Sequence, residues 1–138
     1  MKLKVGRTLA AIAALSLHIP SFAETPIIQP GMYEVTVGVA GNNMSAPVCY
    51  RDKDTQNIES LVLTLEEKLM RKDCTVGILE QTQSSADWTL ECKSRFVTRT
   101  TTGSIAWTVD SFKGQSIRTM GTVKMESPFE AKRTGDCK

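Results

Sequence analysis

The chain has 138 residues, 41% of them hydrophobic, with 17 basic against 15 acidic side chains and one histidine. Charge this close to balance gives no compositional support for nucleic acid or an anionic membrane as partner. The single histidine is His18, near the N-terminus, so the rest of the chain holds no Ser-His or Cys-His nucleophile pair.

The N-terminus reads MKLKVGRTLAAIAALSLHIPSFAE. Lys2, Lys4 and Arg7 form a basic region, Thr8 to Leu17 is an apolar run too short to span a bilayer, and Ser21-Phe22-Ala23 is a small-x-small cleavage site. Residues 1–23 are therefore expected to be a secretory signal peptide. Residues 24–138 would be one exported domain, periplasmic or secreted. Losing the three basic residues leaves 14 basic against 15 acidic side chains and a net charge of −1. No later stretch approaches a membrane span, so no transmembrane segment is expected after cleavage.

After Pro30-Gly31, the residues Tyr33, Val35, Val37 and Val39 alternate with Glu34, Thr36 and Gly38 and predict a half-buried strand. Gly41-Asn42-Asn43 predicts a turn. Met44 to Tyr50 predicts a returning strand, with Pro47 suited to a sheet edge. Arg51 to Asn57 reads as a polar connection. Ile58, Leu61, Val62, Leu65 and Leu69 then recur at helical spacing and predict one amphipathic helix over about residues 57–72, the only helix outside the signal segment.

The next stretch, Cys74 to Cys92, carries its own register. Folded about Gln83, it sets Ile78 opposite Trp88, Val76 opposite Leu90 and Cys74 opposite Cys92, all on one face of an antiparallel pair. The alternation runs on through Ser94, Phe96 and Thr98. Thr100 to Gly103 reads as a loop or strand end. Ile105, Trp107 and Val109 mark a further strand, Asp110 to Gly114 a hairpin loop, and Ile117, Val123 and Met125 another strand with a bend at Gly121. Ser127-Pro128 interrupts it, and Phe129 to Cys137 is a last strand or arm. The expected class is α+β, mainly antiparallel: a curved β meander, a half-open barrel at its most closed, with one helix and two disulfides.

Four cysteines in an exported domain imply disulfides. The hairpin register selects Cys74–Cys92, which leaves Cys49–Cys137. Cys49–Cys74 with Cys92–Cys137 is the rival pairing. The spacings contain no C-x-x-C, which speaks against zinc and against thiol redox chemistry.

Several segments together resemble a known family. Pro30-Gly31-Met32-Tyr33-Glu34-Val35-Thr36 opens the domain. Val48-Cys49-Tyr50 with Asp52 follows, then Cys74…Trp88…Cys92, and Arg133-Thr134-Gly135-Asp136-Cys137 closes it. This ordered set is similar to small exported bacterial proteins grouped as "domain of unknown function 3617". Tyr33 stands where the resemblance leads one to expect Trp. The resemblance implies a secreted or periplasmic setting and carries no activity, cofactor or catalytic residue with it.

The remaining chemistry is sparse. Carboxylate neighbours such as Asp52 with Asp54, or Glu66 with Glu67, have no spacing that sets them across a cleft. Met32, Met44, Met120 and Met125 could offer thioethers to copper but are not clustered, and core filling is their commoner role. Trp88 and Trp107 fall on the apolar parity of their strands, as core residues or as the lining of a cavity. Lys93, Arg95, Arg99, Arg118 and Lys124 would point outward as a face for an anionic partner, diluted by Glu91, Asp110 and Glu126. The expectation is a non-enzymatic binding or interaction protein, without metal or cofactor, whose partner is another cell-envelope protein or component. An apolar-ligand (lipid) carrier is the second reading. The third is an inhibitor of an envelope hydrolase, presenting Gly41–Asn43 or Asp110–Gly114, or a weakly motivated enzyme.

Overall fold

Period-two alternation dominates the chain, and strands dominate the fold. A computed structural model describes residues 26–67 and 73–138. Its elements in chain order are β1 (Gly31–Val39), β2 (Asn42–Tyr50), α1 (Asp52–Thr55), α2 (Ile58–Glu67), β3 (Cys74–Gln81), β4 (Ser85–Lys93), β5 (Thr98–Trp107), β6 (Ser111–Met120) and β7 (Val123–Gly135). The strands form one antiparallel sheet in the order β2-β1-β7-β6-β5-β4-β3. The class is α+β, mainly antiparallel, and the sheet is open, with β2 and β3 as its edges.

The sheet curls. Tyr50 on β2 and Phe112 on β6 lie three strands apart, about 14 Å on a flat sheet, yet their ring centroids are 5.6 Å apart. Tyr33 and Phe129 complete this aromatic cluster. The concave face carries the core, to which α2 adds Ile58, Leu61 and Val62. Asn57 caps that helix, its Oδ1 accepting from the Ser60 N–H at 2.8 Å. Glu66 in the last described turn of α2 reaches Arg118 on β6, and α2 also approaches β3. Leu69, the fifth residue of the expected stripe, lies outside the described residues.

The Cys74–Cys92 register is found as expected: Cys74 faces Cys92, Val76 faces Leu90 and Ile78 faces Trp88. The same two cysteines are bonded, as are Cys49 and Cys137. The rival pairing is therefore wrong. Pro47 does sit on an edge strand.

Other boundaries differ from expectation. Residues 52–55 form a second short helix, with the Arg51 N–H bonded to Asp54 Oδ2 at 2.9 Å. The first turn is Ala40-Gly41, both at positive φ, as a two-residue hairpin requires, and Asn42 and Asn43 already belong to β2. The alternation does not continue past Lys93. Ser94 reverses the chain by bonding the Val97 backbone, which leaves Phe96 90% exposed. Thr100 to Gly103 is the middle of β5, not a loop. The hairpin loop is Thr108–Asp110, so Val109 is exposed, Phe112 is core and Gly114 is mid-strand. Strand β7 runs through Ser127-Pro128 without a break, and Pro128 falls where the pairing with β1 ends.

Two glycines that look like turn signals instead make room. A Cβ on Gly103 would lie 2.3 Å from the Trp88 ring, and one on Gly114 2.0 Å from the Ser104 carbonyl oxygen. Gly103→Ala is accordingly expected to destabilise the fold by about 1–3 kcal/mol through overpacking, read as a lower urea midpoint with unchanged m-value. The disulfides should rank by the chain they enclose. They span 88 and 18 residues, so Cys49→Ser/Cys137→Ser should lose about 4.5 kcal/mol and Cys74→Ser/Cys92→Ser about 3 kcal/mol in the same assay.

Candidate binding surface

The cross-strand register assigns every side chain to a face. Along β6 the concave residues are Phe112, Gly114, Ser116, Arg118 and Met120. Their partners on β7 are Ala131, Phe129, Ser127, Met125 and Val123. Phe112, Phe129 and Ala131 are buried. Towards the Gly121-Thr122 turn the same face opens to solvent, with Met120 43%, Val123 59% and Met125 41% exposed. Met44, paired with Val37 on this face, is 66% exposed. The described residues of α2 leave this corner uncovered. Strand β7 also extends past the β1–β2 hairpin here, since its pairing with β1 stops at Phe129. The result is an exposed apolar strip of Met120, Val123 and Met125, set off from the core along these strands by Ser116, Ser127 and Arg118, with Met44 exposed on the same face of β2.

One ion pair borders the strip. Arg118 Nη2 donates to Glu66 Oε2 at 3.0 Å, joining the last turn of α2 to β6. Glu66 is buried and Arg118 largely so. Burial raises the Glu66 carboxyl above its usual value of 4.5, and the Arg118 charge and hydrogen bond pull the other way. Beside this pair, Trp88 Nε1, Thr101 Oγ1 and Arg118 Nε are buried with no hydrogen-bond partner among the described residues.

The expected basic face does not form. Arg118 lies on the concave face and is tied to Glu66, and Arg99, opposite Cys92, shares that face. Lys93 and Lys124 take the opposite parity, with Lys93 paired to Glu91 at 3.2 Å, and Arg95 sits in the Ser94–Val97 turn. The cause is the phase of β6. With its loop at 108–110, Phe112 faces inward and Arg118 follows it. Trp88 and Trp107 both belong to the core cluster. Trp107 also borders a shallow, open depression of about 350 Å³ with Phe112, Lys113 and Glu130. Met44, Met120 and Met125 are exposed and do not fill the core. The Asp54 carboxylate is engaged by the Arg51 N–H and the Thr64 hydroxyl. The segment Asp110–Gly114 is mostly strand and offers no inhibitory loop.

The terminal motifs meet at the far corner. Arg133 Nε donates to the Pro30 carbonyl at 3.0 Å, and the Arg133 guanidinium also pairs with Asp136. Gly31 packs against Arg133 and Gly135, where a side chain would collide. The P-G opening and the R-T-G-D-C ending are thus two halves of one joint, locked by Cys49–Cys137.

A seven-stranded, disulfide-linked antiparallel sheet with two short helices among the described residues defines a class of small β-rich domain. The chain belongs to the family described as Protein of unknown function (DUF3617), whose model matches residues 28–137. No curated protein and no solved structure matches it.

Raising a buried carboxyl's pKa makes the folded state bind more protons than the unfolded one between about 4.5 and the raised value, so this contribution to stability falls as pH rises through that window. Glu66→Gln should remove that decline. It should also destabilise the protein near neutrality by leaving Arg118 without its counter-charge. Urea midpoints from about pH 4.5 to about 7.5, compared with the parent, check both effects.

Proposed function

We propose that the protein is a non-enzymatic binding protein of the cell envelope that works through the uncovered concave strip. The single observation behind this reading is the exposure of Met44, Met120, Val123 and Met125 on a sheet face that is elsewhere core. Exposed apolar surface of this kind costs solubility and marks interaction sites. Methionine in particular adapts its shape to a partner. An export signal in residues 1–23 and the pairing of all four cysteines support an oxidising compartment outside the cytoplasm. Among the described residues no helix is long and apolar enough to cross a membrane. The arginines and lysines first grouped as an anionic-partner face have no part in this surface, apart from Arg118 at its border.

A photo-crosslinking residue placed at Met125 in the full chain, expressed in cells, should give specific adducts. The same residue at Thr102, on the opposite sheet face, should give none. Equal labelling from both positions would refute the strip as the binding surface.

A further inference from the structure

The three unpartnered atoms beside the strip occupy neighbouring positions. Thr101 and Arg118 are direct cross-strand partners on the concave face of β5 and β6. Trp88 faces Gly103, the next concave residue of β5 after Thr101. Its indole lies over that glycine, with Cε2, the atom bonded to Nε1, 2.5 Å from where a Cβ would stand. Trp88 and Thr101 are 0% and 1% exposed. Met125 is the partner of Arg118 on the other side, so the apolar strip begins one strand from Arg118, two from Thr101 and three from Trp88.

All three groups can donate, and the indole and the guanidinium Nε can do nothing else. Buried donors left unmade cost stability, so the corner is suited to an acceptor. The charge of Arg118 is already met by Glu66 at 3.0 Å. A carboxylate or phosphate brought here would face the Glu66 carboxylate in a site shielded from water, which is unfavourable. A carbonyl oxygen accepts two hydrogen bonds and adds no charge. We infer, resting on the strip as a binding surface, that this corner holds the uncharged, carbonyl-bearing head of a single-chain acyl ester or amide, whose chain lies along Met125, Val123 and Met120. The acyl chain supplies apolar cover that the described part of α2 does not give these residues. The ester or amide supplies acceptors for Trp88, Thr101 and Arg118.

The test is a titration of the oxidised, ¹⁵N-labelled protein with 1-monodecanoylglycerol, with sodium decanoate at neutral pH as the charged comparison. Saturable binding should move the Trp88 indole N–H resonance and leave that of Trp107 in place. Decanoate should bind about tenfold more weakly, a difference of about 1.4 kcal/mol. Thr101→Val keeps the shape of the side chain and suits a strand. It should weaken the ester about tenfold by removing one donor. Met125→Glu should abolish binding while urea midpoints stay close to those of the parent. Equal binding of decanoate overturns the uncharged head, and Thr101→Val binding like the parent overturns the donor set. An indole N–H that no lipid moves and that is protected from exchange assigns the corner to a buried water and overturns the proposal altogether. Crosslinks from Met125 to proteins alone would sink this inference and leave the binding strip standing.

Discussion

The described part of α2 has a wide sheet to cover. The ten described residues of α2 extend about 15 Å, whereas seven strands span about 29 Å. Curling narrows the gap by bringing Tyr50 onto Phe112. Even so, one corner of the concave face stays open. The buried core, the exposed methionines and the Glu66–Arg118 pair all follow from that mismatch. The core lies where helix and curl overlap. The ion pair ties the last described turn of α2 to β6. The strip is what remains.

The corner could not have been filled cheaply from within. Extending the helix over Met120 and Met125 would bury them, but the last described turn is already fixed to β6 through Glu66. Taking two charges out of water returns little net stability. It does fix position, and here it pins the helix end to one place on the sheet. The rest of the helix is held by the core, which α2 joins through Ile58, Leu61 and Val62. The described part of the helix is thus held by two different forces.

How much of this was legible in the sequence depended on whether local signals agreed. In β3 and β4, two apolar pairs and two cysteines demand the same register, and that register is the one found. In β1 and α2 the periodicity is clean. The failures cluster in β5 and β6. Thr98 to Thr102 has no apolar alternation, so the strand resembles a loop. Gly103 and Gly114 read as punctuation because the usual role of glycine is a turn; here each makes room for a neighbour, Trp88 or the Ser104 backbone. Placing the loop at Asp110–Gly114 put β6 out of phase, turned Ile117 inward and sent Arg118 outward. The one hint available was a repeated pattern. Thr82–Ser85 and Thr108–Ser111 close their hairpins identically, with paired hydroxyls 2.7 Å apart. The binding corner was harder to see, because it depends on which faces of four strands coincide and on where a helix stops.

The strand order also sets a timetable. Strand β7 is last in sequence but central in the sheet, between β1 and β6. Until it arrives, the β1–β2 hairpin has no link to the rest of the sheet, and Cys49 waits for a partner 88 residues away. Long-range pairing of this kind is slow and comes late in folding. A chain emerging N-terminus first therefore cannot complete its sheet before nearly all of it has been delivered. Export of the kind proposed above would benefit from that delay, because the fold is withheld until the final segment has crossed a translocation pore.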